Sequence, residues 1–236
     1  MPVALIDDSE QPWFPHPETA WSEGLLAVGG SLTPERLLLA YSSGIFPWFS
    51  EGEPALWHWF SPDPRFLLAP DNFTPTRSLK AALCQNLFEV KIDEDFPKVI
   101  RSCARAFRKD QPGTWIAPDM IEAYCRLHEL GYAHSFESYQ DGELVGGLYG
   151  ISLGRAFFGE SMFHKKAEAS KVALATLVAF ARERDFPFID CQDSSRHLAR
   201  LGAEDVPRST FLRFLAQALE AGATLRGSWR KETDLP

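Results

Sequence analysis

The chain has 236 residues, 45% hydrophobic and 24% charged; it can bury a sizeable core in one large domain or two small ones, which excludes a disordered or fibrous protein. Its 24 Lys and Arg against 32 Asp and Glu leave a net charge of −8, which excludes a histone-like coat on duplex phosphate, so any nucleic acid must be held locally. Cys84, Cys103, Cys125 and Cys191 form no C-x-x-C pair, the N-terminus has no secretory pattern, and no apolar run approaches the roughly 18 residues of a membrane span; a reduced, cytoplasmic protein without membrane contact is expected.

Nine of the 17 prolines and five of the seven tryptophans fall between residues 12 and 70. Within this block Thr33-Pro34-Glu35 reads as an N-cap and first helical turn, followed by a short helix through Leu37–Tyr41 that ends at Gly44. The segments around Phe46-Pro47-Trp48 and Leu56–Pro64 are too proline-dense for regular ladders, so their aromatics are expected on rigid loops. Trp13, Trp21 and Trp57 read as core residues. These features predict a small Pro/Trp-rich N-terminal domain over residues 1–63, followed by a second domain over 64–236.

Beyond it, helices are predicted over 76–85, 94–108 and 120–130, the last with Ile121, Tyr124, Leu127 and Leu130 on one face and Gly131 as its stop. Ala133–Tyr139, Leu144–Ile151 and Ala156–Phe163, joined by turns at Asp141-Gly142 and Gly154, predict a three-strand antiparallel meander. A helix from Ser170, a short buried strand over Phe186–Cys191 and two further helices follow. The class is α+β, a mixed, mainly antiparallel sheet with flanking helices, in the order found in GNAT-like acyltransferases. Acetyltransferases of that kind cradle a pyrophosphate on a Gly-rich loop before the helix. Here that loop, His164 to Ser170, has no glycine, which favours an acyl donor other than coenzyme A.

Six motifs stand in series: Gly24-Leu25-Leu26-Ala27-Val28-Gly29-Gly30, Gly44-Ile45-Phe46-Pro47-Trp48, Ser61-Pro62-Asp63-Pro64-Arg65, Gly113-Thr114-Trp115-Ile116, Gly159-Glu160-Ser161-Met162-Phe163 and Ile189-Asp190-Cys191-Gln192. In order and spacing, over nearly the whole chain, they resemble the bacterial leucyl/phenylalanyl-tRNA–protein transferase family. The resemblance implies a GNAT-like domain behind a small N-terminal one. It also implies transfer of Leu or Phe from aminoacyl-tRNA to proteins that begin with Arg or Lys, marking them for degradation. Two other readings compete: an acetyl-coenzyme A N-acetyltransferase of the same architecture, and a non-catalytic module that binds N-termini or tRNA ends.

The chemistry of such a transfer is undemanding. An aminoacyl ester is already activated, so peptide formation calls for orientation, amine deprotonation and charge stabilisation rather than ATP, a metal or another cofactor. Asp190 and Gln192 end a predicted strand, where strand alternation puts them on one face and Cys191 on the other, and a carboxylate with an amide can align an amine. The competing reading of Asp190 is a helix cap or an Arg partner. The resemblance leaves two proton acceptors, Asp190 acting through Gln192 or the ribose 2′-hydroxyl of the tRNA; an exposed carboxylate, with a pKa of about 3.9, is a poor base for an ammonium near 8, which favours the ribose hydroxyl, with the pair aligning the amine.

Glu160 follows Phe157-Phe158-Gly159 and needs a polar partner in so apolar a strand. Resemblance gives it the aminoacyl-adenosine end, whereas a plain salt bridge would use Lys165 or Lys171. Resemblance also places Leu148, Leu177, Ile189 and Cys191 among the substrate-binding residues, with Ile189 and Leu177 lining an apolar pocket for the donor side chain. Leu148 stands where the family usually has Met, and Leu177 where it usually has an aromatic.

Trp48 and Trp115 each follow rigid punctuation and are expected to stack on the terminal adenosine of the CCA end. Arg77 and Lys80, one helical turn apart, are expected by resemblance to face the tRNA acceptor stem, and Arg101, Arg105, Arg108 and Lys109 fall largely on one face of the next helix. His128 and His134, six apart across Gly131, do not form a same-face metal pair, so no metal site is expected.

Overall fold

The computed structural model describes residues 3–8, 11–50, 56–106 and 116–230. Two sheets organise them. The first contains β1 (Ala4–Ile6), β2 (Leu25–Gly29), β3 (Phe46–Ser50) and β4 (Leu56–Phe60), in the order β1-β2-β4-β3. The second contains β5 (Arg65–Leu68), β6 (Glu89–Ile92), β7 (Ala133–Gln140), β8 (Glu143–Leu153), β9 (Ala156–His164), β10 (Phe188–Gln192) and β11 (Glu204–Val206), in the order β11-β5-β10-β9-β8-β7-β6. Both sheets are mixed: β1 and β2 are parallel, as are β9 and β10, and the other pairs are antiparallel.

The expectation of rigid loops without ladders around Trp48 and Trp59 is overturned, because β3 and β4 pair in register from Phe46↔Phe60 to Ser50↔Leu56. Pro47 lies in β3, an edge strand that among the described residues pairs on one side, so the missing N–H can fall on the other side and cost the ladder nothing. The indole assignments also change. Trp13 and Trp21 are exposed, Trp57 is partly buried, and Trp59 is fully buried, its Nε1 donating to the Gly29 carbonyl at 2.9 Å.

Helix α1 (Pro34–Ser42) starts as predicted: Thr33 Oγ1 accepts from the Arg36 amide, Pro34 occupies the first turn, and Gly44 at φ +74° carries the chain away. Helices α2 (Arg77–Cys84), α3 (Phe96–Arg105), α4 (Pro118–Glu129), α5 (Ala169–Glu183), α6 (Arg196–Ala199) and α7 (Arg208–Glu220) complete the fold. The meander turn is the predicted one, with Asp141 and Gly142 both at positive φ, as a two-residue hairpin of right-handed strands requires.

Both faces of the larger sheet are covered. Phe66, Leu68, Phe136, Leu148 and Phe157 join the apolar cluster of α2 and α5, while their strand neighbours Leu67, Tyr149 and Phe158 join a second cluster. That second cluster includes residues of α1, α3, α4 and α7 as well as Ile6, Leu26 and Trp59 of the first sheet. Helix α5 approaches β8 so closely that a Cβ on Gly146 would lie 2.5 Å from the Ala169 Cβ. Among the described residues, no helix is long and apolar enough to cross a membrane.

Candidate active site

Glu160 lies on β9 beside the parallel strand β10, with 8% of its surface exposed. Three side chains from three elements donate to its carboxylate: Tyr41 of α1 to Oε1 at 2.7 Å, Tyr124 of α4 to Oε2 at 3.1 Å, and Gln192 Nε2 of β10 to Oε1 at 2.6 Å. The two tyrosine hydroxyls also hydrogen-bond each other. Burial pushes the Glu160 carboxyl up to about 7, against the lowering effect of its three donors. Neither lysine of the competing salt-bridge reading reaches it, since Lys171 pairs with Glu168 at 2.7 Å and Lys165 donates to the Leu144 carbonyl.

Asp190 has a different neighbour. Arg65 of β5 donates from Nε to Oδ1 at 2.8 Å and from Nη2 to Oδ2 at 2.5 Å, and both side chains have zero exposure. The guanidinium is enclosed by the rings of Phe46 and Phe211, at 4.8 and 4.5 Å from their centroids. The expected exposed carboxylate sharing a face with Gln192 is therefore corrected. Gln192 adopts a left-handed φ of +63°, and the β10–β5 register shifts between it and Asp190, which breaks the alternation that the sequence reading relied on. The Gln192 backbone N–H donates to Asp190 Oδ1 at 2.9 Å, so the buried pair fixes the bend from which the Gln192 side chain reaches Glu160.

Two cavities open beside this network. An apolar pocket of about 250 Å³ brings together Leu148, Leu177, Ile189, Cys191 and Glu160, all proposed as substrate-binding from the sequence. A cleft of about 400 Å³ adjoins it, with Trp48, Cys191 and Gln192 on its wall, and the two share Glu160 and Met162. Asp190 lines neither cavity. Burial pushes the Cys191 thiol far up, so it offers a neutral, weakly polar surface rather than a thiolate.

Trp115, Arg108 and Lys109 lie outside the described residues. Arg77 and Lys80 are exposed on α2 and border neither cavity, and Arg101 and Arg105 are exposed on α3. The two histidines have structural surroundings: His134 Nδ1 is 2.9 Å from Asp93 Oδ2 with its ring stacked on Trp229, and His128 stacks on Phe96. Among the described residues no cluster of His, Cys, Asp and Glu is arranged to hold a metal.

Sequence reasoning missed Tyr41, Tyr124 and Arg65. Tyr41 and Tyr124 sat at apolar positions of predicted helices, and their signal was the hydroxyl that a buried tyrosine must satisfy. Arg65 ends the Ser61–Arg65 motif, where no local pattern marks it as a buried partner.

The family model described as leucyl/phenylalanyl-tRNA protein transferase matches residues 67–216, and the model of that family's N-terminal domain matches residues 30–63. A leucyl/phenylalanyl-tRNA–protein transferase of Desulfatibacillum aliphaticivorans is 55% identical over 99% of this chain and 98% of its own. One from Myxococcus xanthus is 52% identical over 97% of both chains, and one from Syntrophotalea carbinolica is 55% identical over 92% of this chain and 93% of its own. Among solved structures, a conserved protein of unknown function from Staphylococcus epidermidis aligns over 78% of this chain and 68% of its own at 9% identity, with a TM-score of 0.42. On the two domain matches and these near full-length identities, the chain belongs to the leucyl/phenylalanyl-tRNA–protein transferase family.

Proposed function

We propose that the protein transfers Leu or Phe from the 3′ CCA end of aminoacyl-tRNA to the α-amine of proteins that begin with Arg or Lys, marking them for degradation in the cytoplasm. The observation that carries this reading is the junction of the apolar pocket with the Trp48 cleft across the buried Glu160–Gln192 pair. A side chain of Leu or Phe type enters the pocket, Trp48 offers a stacking face to the adenine, and Glu160 and Gln192 stand where the ester linkage would lie. We read the seven-stranded part as GNAT-like, a reading supported by the succession β7-β8-β9-α5-β10 with β9 and β10 parallel, and we divide the chain after residue 63. The glycine-free loop His164–Ser170 favours an aminoacyl over an acetyl-coenzyme A donor.

In the reaction, the acceptor nitrogen attacks the ester carbonyl, a C–N bond forms, the C–O bond to ribose breaks, and an ammonium proton passes to the departing ribose oxygen. Both Asp190 oxygens already accept from Arg65, and Oδ1 also accepts from the Gln192 amide, which supports a positioning role for Asp190 and leaves the proton to the ribose 2′-hydroxyl. Gln192 then aligns the amine through its side-chain amide. Incubation of the protein with Leu-tRNA or Phe-tRNA and a peptide starting with Arg should yield the elongated peptide by mass spectrometry. A peptide that gains no residue from either donor would refute the assignment. Trp48→Ala should weaken donor binding by about 1–3 kcal/mol, the usual value of a lost base stack.

A further inference from the structure

We propose that a second cleft, between α3 and the start of α5, binds the phosphodiester groups of the donor's unpaired 3′ nucleotides. The cleft has a volume of about 940 Å³ and meets the apolar pocket at Met162 and His197, which line both. Its charge is opposite to that of the whole chain. Arg105, Lys165, Lys171, His164 and His197 line it, and Glu168 is the acid among the described lining residues.

The individual partners leave positive charge in place. Glu168 is engaged by Lys171 at 2.7 Å, while Lys165, among the described residues, donates to a neutral backbone carbonyl, that of Leu144. Arg105 has no acidic partner among the described residues. Ser170 and Lys171 bring the first turn of α5 to the same cleft, which adds the positive end of the helix dipole. Burial and the neighbouring Lys171 hold the His197 imidazole below its usual range, so it offers a neutral donor beside the cations. A cavity of this charge that runs into an aminoacyl pocket matches a polyanion whose end carries the amino acid, and no part of a Leu or Phe side chain needs it. The identity of the ligand rests on the transfer reading; the anion preference rests on the cleft itself.

The test uses the full chain and two synthetic donors, an aminoacyl-adenosine without phosphate and the same ester on a CpCpA trinucleotide, which has two phosphodiesters. Arg105→Gln with Lys165→Gln alters two exposed side chains, and Arg213→Gln on α7 serves as a charge control. KM for the trinucleotide should rise about tenfold in the double variant, with a salt slope shallower by about 1.4, while KM for the nucleoside ester stays unchanged. Equal change for both donors, no change for either, or the same effect from Arg213→Gln would overturn the proposal. Direct titration of uncharged CpCpA separates this from the transfer reading. Wild type should bind it about tenfold more tightly than the double variant even if no donor reacts, and equal affinities would overturn the cleft whatever the enzyme assay shows.

Discussion

The Tyr41 hydroxyl, carried by α1, reaches Glu160 of β9 at 2.7 Å and also hydrogen-bonds Tyr124. Three close oxygen–oxygen contacts thus link two hydroxyls and one carboxyl, and two hydroxyl protons cannot serve all three. The triangle closes fully when the carboxyl itself carries a proton, which agrees with a carboxyl pushed up to about 7.

Stability should follow that proton. The Glu160 carboxyl rises from an ordinary value of 4.5 to about 7 on folding, so its contribution is fully present below pH 4.5 and is lost as pH rises through 7. Glu137 is pushed up to about 7 by burial as well, so the informative quantity is the difference between wild type and Glu160→Gln. Urea denaturation should show wild type losing about 3 kcal/mol relative to Glu160→Gln between pH 4.5 and 7.5. A pH-independent difference would mean that folding leaves the carboxyl at its ordinary value of 4.5.

Asp190→Asn should be costly for stability rather than only for rate. It leaves the Arg65 guanidinium buried without a counter-charge, a loss of about 3–5 kcal/mol. Gln192→Ala leaves that ion pair intact and should lower kcat about 10²-fold through lost alignment, with stability changed by about 1 kcal/mol. Thermal denaturation alongside single-turnover assays separates the two; equal stability in both variants would count against a positioning role for Asp190.

Leu177→Ala should widen the apolar pocket that Leu177 lines with Leu148 and Ile189. Competition between Leu-tRNA and Phe-tRNA should move toward Phe by about tenfold in kcat/KM, the value of one or two methylenes in an apolar pocket. An unchanged ratio would place the donor side chain elsewhere.

Arg77→Ala with Lys80→Ala should weaken binding of intact tRNA and flatten its salt dependence by up to about two phosphate contacts. Both residues stand on α2 and line none of the three cavities described beside Glu160, so transfer from the trinucleotide ester should be unaffected. Filter binding across a salt series checks the first expectation, and an unaltered slope would turn α2 away from the RNA.

Much of this architecture was legible locally. The Thr33-Pro34 helix start, the Asp141-Gly142 turn and the apolar period of α4 each depend on residues a few positions apart, where propensity and capping act directly. The departures come from distant partners. Arg65 and Asp190 are 125 positions apart, and no local pattern announces that an arginine at the end of a proline-rich motif will be fully buried. Proline density argued against ladders in both segments, yet β3 runs along an edge where Pro47 costs no bond, and β4, whose five residues Leu56–Phe60 contain no proline, pairs on both sides. At Gln192, one left-handed residue moved the functional side chain off the face that alternation assigned it.

Met162 borders the apolar pocket, the Trp48 cleft and the basic cleft alike. A thioether is unbranched and changes rotamer cheaply, so whatever occupies one of the three spaces resets a wall of the other two. Leucine and phenylalanine donors would then present the incoming amine with different surroundings. A survey of acceptors run with a leucine donor and again with a phenylalanine donor should then rank them differently, and identical rankings would mean that Met162 does not couple the three spaces.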